Sequence, residues 1–184
     1  MGINSRSKGN RNERLAASII SNWTKRKFER TPSSGGLQWK ASFSKGDIVC
    51  TDDRHYFPFC VEVKAHKEIN FSHLLIPNIK NVKIFEFWEQ CQRDAKNAAK
   101  IPMLIARYDG LPKGFFFTIL PLDFWFEIKH LYPNVKYIYF QDFNIPSFAI
   151  LSSFHFFKAP YKEIRKIAKT KLKKERKCQQ RKKK

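Results

Sequence analysis

Leu15, Ala16, Ile19, Ile20 and Trp23 recur at helical spacing behind Asn10. They predict an amphipathic helix over 11–23, with Asn10 as its N-cap and Glu13 in its first turn. Residues 27–30 read as a short extended piece, and Thr31-Pro32-Ser33-Ser34-Gly35-Gly36 as a loop. Residues 47–51 and 57–65 are strand-like, and the polar 52–55 between them predicts a hairpin that brings Asp47 near Glu62. A helix over 83–99 ends at Ile101-Pro102 and is followed by a buried strand over 103–106 and another over 114–120. Beyond these, 123–130 predicts a short helix, and 135–140 and 148–152 further strands. This order predicts an α/β fold with a mixed central β-sheet flanked by helices.

Composition changes the picture at the C-terminus. The 184 residues are 42% hydrophobic, enough for one core. The net charge of +20 is concentrated in 158–184, which carries 14 Lys and Arg against Glu163 and Glu175. We expect one domain over 1–157 and a basic helical tail over 158–184, with no apolar stripe of useful length along the tail. Such charge calls for an acidic partner.

The remaining features exclude more than they assign. Residues 1–14 have no apolar leader core, and no run reaches the ~20 apolar residues of a membrane span, so a cytoplasmic protein is expected. Cys50, Cys60, Cys91 and Cys178 form no C-x-x-C pair and the five histidines no ligand spacing, which argues against a disulfide framework or a zinc site. Phe154, Phe156 and Phe157 are expected to pack in the core or a dimer interface rather than to stack on bases.

The chemistry lies in Cys60-Val61-Glu62-Val63-Lys64, whose period-2 alternation sends Cys60, Glu62 and Lys64 to one face. A carboxylate and an ammonium in an apolar strand are costly unless paired or bound to something. An ion pair is one explanation. The other is a site in which Asp47 and Glu62 bind a hard divalent cation, with Lys64 beside the attacking water or the scissile phosphate. The tripeptide [DE]-x-K also occurs at Asp94, Glu127 and Glu175, but the first two fall in predicted helices and the third in the tail.

Gly46-Asp47 followed by Glu62-Val63-Lys64 resembles the PD-(D/E)xK nuclease signature, with Gly46 where that superfamily often has proline. Lys8-Gly9-Asn10-Arg11-Asn12-Glu13-Arg14 resembles the K-G-x-x-x-E-R opening of archaeal and phage-type Holliday junction resolvases, and Arg30 to Gly35 their R-x-x-x-S-G loop. The stretch from Trp88-Glu89-Gln90 to Ile105 is similar to the helix and strand that follow the core in phage members, so the resemblance spans 8–107.

The resemblance implies a restriction-endonuclease-like fold. It also implies that Asp47 and Glu62 are metal ligands helped by the Val63 carbonyl, with Glu13 completing the acidic cluster directly or through water. Lys64 would polarise water or steady charge on the phosphate. Ser34, or Ser33 in its place, would sit near the scissile phosphate, and Gln90 would approach from the following helix. An ordinary first-turn acid, soluble loop serines and a solvent-facing glutamine are the alternatives for Glu13, Ser34 and Gln90. The implied cofactor is Mg2+, with Mn2+ as substitute and no small-molecule cofactor. The implied partner is a four-way DNA junction bound by a homodimer in a host cytoplasm, away from membranes. A restriction-like or repair endonuclease and a non-catalytic nucleic-acid-binding protein remain alternatives.

Overall fold

The computed structural model describes residues 5–31, 46–52, 55–76, 82–142 and 145–181. Helix α1 (Ser5–Thr24) is followed by β1 (Phe28–Arg30), β2 (Ile48–Cys50) and β3 (Phe59–Ala65). A 3-10 turn (Phe71–Leu75) leads to α2 (Lys83–Asn97), β4 (Ile101–Arg107), β5 (Phe117–Pro121) and α3 (Leu122–Ile128). After β6 (Tyr137–Phe140) and β7 (Phe148–Ser152) come α4 (Ser153–Phe156) and α5 (Tyr161–Arg181).

The described strands form one sheet in the order β1-β2-β3-β4-β5-β7-β6. Only β3 and β4 run parallel, from Phe59 opposite Ile101 to Ala65 opposite Arg107, with α2 as the crossover between them. This is the mixed α/β sheet with flanking helices of the restriction-endonuclease-like class. Strand β4 is almost continuously apolar because both its faces are covered. Met103 and Ile105 join a core with Ala16 and Ile20 of α1, whereas Leu104 and Ala106 join a second core with Trp88 and Cys91 of α2. On β3, Val61 and Val63 belong to the α1 core, so alternation turns Glu62 and Lys64 towards α2.

Two expectations are corrected. Helix α1 already runs by Ser5, so Asn10 lies inside it rather than capping it, and its first turn carries no acid. Contacts hold the added turns: Asn12 donates to the Lys8 carbonyl at 2.8 Å, and Lys8 is paired with Asp109. The basic C-terminal segment does have an apolar stripe. Tyr161, Ile164, Ala168 and Leu172, three or four residues apart along α5, are buried in the α1-side core. Helix α5 turns its cations outward from Lys173 onward, and Lys171 reaches back to Asp123 and Glu127 on α3. Among the described residues no helix is long and apolar enough to cross a membrane.

If α5 is part of the core, Ile164→Ala should cost about 2–5 kcal/mol in denaturant unfolding. Lys173→Ala, on the exposed part of α5, should stay within about 0.5 kcal/mol. Equal midpoints for the two variants would contradict the docking of α5.

Candidate active site

Strand β3 presents two rows of backbone groups. Pro58 accepts from Ile101 N at 2.9 Å and His66 N donates to Arg107 at 3.1 Å, so even-numbered residues serve β4. Odd-numbered residues face β2, where Val61 accepts from Asp47 N at 2.8 Å. Strand β2 pairs with β3 only at Ile48 and Val61 and then leaves it. The next odd residue, Val63, therefore has an N–H facing a gap, and the Asp47 carboxylate accepts it at 2.7 Å. In an extended strand the N–H and C=O of one residue point to the same edge, so the Val63 carbonyl also faces the edge that β2 has left.

The backbone of Asp47 is held from both sides. Its carbonyl accepts from Thr31 N at 2.8 Å, and the Thr31 hydroxyl donates to the Gly46 carbonyl at 2.9 Å. Gly46 has φ +96°, and a Cβ there would lie 2.5 Å from the Val61 carbonyl oxygen. That explains the departure from the proline of the resembled signature. Proline is confined to φ near −65° and cannot take this turn, whereas glycine can.

Glu62 is 3% exposed and would be costly without donors. Lys64 Nζ donates to its Oε1 at 2.7 Å and Gln90 Nε2 to the same oxygen at 2.8 Å. No protein group among the described residues donates to Oε2. The Lys64 ammonium lies 5.6 Å from the Phe87 ring centroid. Phe87 and Gln90, three residues apart on α2, thus cover Lys64 and Glu62 together. Sequence reasoning missed Phe87, although its spacing from Gln90 placed it on the same helix face.

Burial raises the Asp47 carboxyl from 3.8 to about 7, with the Glu62 charge adding to it and Glu13 contributing least; the Val63 N–H and Lys64 only partly oppose the rise. Glu13 sits mid-helix, not in a first turn, and its carboxylate is taken by Arg30 of β1. Among the described residues no group of three His, Cys, Asp or Glu converges tightly enough to hold an ion. What the structure does bring together is the Asp47 carboxylate, held on the Val63 N–H, and the Glu62 carboxylate, close enough for its charge to act on Asp47. Carboxylate oxygens of this kind fit a hard divalent cation, whose charge would oppose the burial and the Glu62 charge that together raise Asp47. Ser33 and Ser34 lie outside the described residues. The other [DE]-x-K sites at Asp94, Glu127 and Glu175 start in α2, α3 and α5.

A family model described as "Phage putative PDDEXK endonuclease" matches residues 4–137, from the start of α1 to the start of β6, and includes Glu13, Asp47, Glu62, Val63, Lys64 and Gln90. "Protein D14" of Escherichia phage T5 is 33% identical over 110 residues, which cover 59% of this chain and 68% of that protein. No solved structure matches the chain significantly.

The raised Asp47 carboxyl makes the metal-free fold pH-sensitive in a defined window. Between its unfolded value of 3.8 and its folded value of about 7, the folded protein holds a proton that the unfolded chain has released. Stability conferred by that proton is full below about pH 4 and is lost as the pH rises through about 7. In chelator, Asp47→Asn should therefore lose less stability than wild type across this window and exceed it at pH 8 by on the order of 2 kcal/mol. Added Mg2+ should recover wild type and leave the variant unchanged. Parallel pH profiles for the two proteins would refute the raised carboxyl of buried Asp47.

Proposed function

The chain belongs to the phage PD-(D/E)xK endonuclease family, and so to the nucleases, and from that premise we propose that it resolves four-way DNA junctions by metal-dependent hydrolysis of the phosphodiester backbone. The observation that carries the catalytic reading is the division of the Glu62 carboxylate. Lys64 and Gln90 both donate to Oε1 and so leave Oε2 without a donor from either, while the Asp47 carboxylate is held on the N–H of the adjoining Val63. A plain Glu62–Lys64 ion pair would need neither Gln90 nor a second buried carboxylate.

Asp47, Glu62 and Val63 would hold Mg2+, with Mn2+ as the natural substitute. When bound, the cation supplies Lewis-acid stabilisation of charge on the phosphate and makes water more acidic. The chain supplies the rest. Gln90 fixes Glu62 so that one oxygen faces outward, and Lys64 keeps an ammonium at the same carboxylate, within reach of an attacking water or a phosphate oxygen gaining charge. Glu13, held by Arg30, acts on the cluster through water, and Ser34 acts near the scissile phosphate. Water attacks the phosphorus opposite O3′, the P–O3′ bond breaks and O3′ leaves with a proton, which gives 5′-phosphate and 3′-hydroxyl ends.

The junction reading is supported by the order of the K-G-x-x-x-E-R stretch, the R-x-x-x-S-G stretch and the catalytic strand. It is supported also by a charge of +20 with no base-reading motif, which favours phosphate contacts over sequence readout. A junction has two symmetrical strands to cut, so a two-fold homodimer is the natural assembly. A phage-encoded enzyme of this kind would meet junctions in the cytoplasm of the infected cell, during recombination or repair.

Labelled four-way junction and matched linear duplex, each with Mg2+ or chelator, test this. Wild type should make paired symmetrical nicks in the junction and spare the duplex. Glu62→Gln should bind the junction without cutting it, and Lys64→Met should cut at least about 100-fold more slowly. Cleavage of linear duplex at defined sequences would favour a restriction-like enzyme. Undiminished cutting by Glu62→Gln would remove the proposed site.

A further inference from the structure

Two cavities lie side by side along α1, on the face of the sheet opposite Glu62 and Lys64. The first, about 960 Å³, is lined by Lys8, Arg11 and Asn12 of α1, by Arg107 at the end of β4, and by Lys113. The second, about 670 Å³, is lined by Ile19, Asn22 and Trp23 of α1 and by Phe115, Phe154 and Lys158. Lys113 borders both, and Leu15 and Ile19, one helical turn apart, line one each, so they form a single groove. From Lys8 to Trp23 the helix rises about 22 Å, room for several nucleotides.

The groove changes character along its length. At one end it is basic, with Lys8, Arg11, Arg107 and Lys113 against Asp109 alone, and Asp109 is already paired with Lys8. This end adjoins the catalytic region. Arg107 is in register with Ala65, the residue after Lys64, and Asn12 precedes Glu13, whose charge reaches Asp47. The other end is aromatic. Phe156 is fully buried, but Phe154 is 64% exposed, with the Lys158 ammonium 3.9 Å from its ring centroid. Phe156 thus packs in the core as expected, whereas Phe154 lies outside it. An exposed aromatic ring beside cations, continuous with a basic channel, matches what binds single-stranded nucleic acid: phosphates along the cations and bases on the rings. A duplex would present phosphates to the basic end but no base face to Phe154.

We propose that this groove binds a single-stranded DNA segment leaving the cleavage site, with an unpaired base stacked on Phe154 and the backbone tracking Lys113, Arg107 and Arg11. The proposal rests on the nuclease reading for the choice of DNA, yet it concerns a surface that takes no part in hydrolysis. It gives the basic face of α1 a second task. Beyond holding a junction, it would select DNA in which bases near the cut are already unpaired.

The test uses the full chain in chelator, so that nothing is cut, and reads fluorescence anisotropy with three probes: a short oligothymidylate, an abasic strand of the same length, and a duplex. Wild type should bind the oligothymidylate about tenfold more tightly than the abasic strand. Phe154→Ala should bind both alike, at the abasic level, and its exposed position keeps the fold intact, as a thermal melt verifies. Lys113→Ala should weaken both strands equally and lower the slope of affinity against salt by about one. Equal binding of the thymidylate and abasic strands by wild type would overturn the proposal. So would a preference for bases that survives in Phe154→Ala, or tightest binding to duplex. Cleavage by wild type in Mg2+ is measured separately, so failure of the nuclease reading and failure of the groove are distinguishable.

Discussion

The hydrogen bond from the Val63 N–H to the Asp47 carboxylate is the contact on which the rest of the site depends. Where β2 leaves β3, a buried strand would otherwise carry an unpaired backbone donor, which costs about 1–3 kcal/mol. A side-chain carboxylate satisfies that donor and, in doing so, brings a negative charge to the same stretch of β3 that carries Glu62. The fold therefore accepts two close, poorly solvated carboxylates as the consequence of ending a β-ladder early. Gly46 makes this geometry possible, because its positive φ and absent Cβ let the chain turn against the Val61 carbonyl.

Much of this was legible in the sequence, for a physical reason. Period-2 alternation in a strand covered on both faces leaves no ambiguity about which side chains share a face, so the sequence alone pairs Glu62 with Lys64. The antiparallel partner strand and the placement of Asp47 followed from a short polar connection. What local pattern could not supply was the start of α1, because the two turns before Asn10 are held by contacts such as Lys8 with Asp109, a hundred residues away. The stripe on α5 was hidden for a different reason. Four apolar residues are diluted by lysines, and average hydropathy hides a narrow stripe even where the spacing is regular.

Gln90 and Phe87 show the same limit at the site itself. A glutamine on a helix has solvent as its default neighbour, and only the parallel crossover that lays α2 over β3 turns it towards Glu62. The sheet thus divides the work between its faces. The α2 face carries Glu62 and Lys64, while the α1 face carries the groove of cations and aromatic rings, and the two meet at the C-terminal ends of β3 and β4. The net charge is arranged accordingly, with α5 anchored by its apolar stripe and its outer cations left to solvent or to phosphate.

On this reading Asp47 and Glu62 are held together to bind a divalent cation. Titration with Mn2+, followed by the loss of the free-ion electron paramagnetic resonance signal, tests it without DNA and without catalysis. Wild type and Phe154→Ala should take up the ion at one common site, and Asp47→Asn and Glu62→Gln should lose that site while remaining folded. Uptake by either carboxylate variant indistinguishable from wild type would contradict the account.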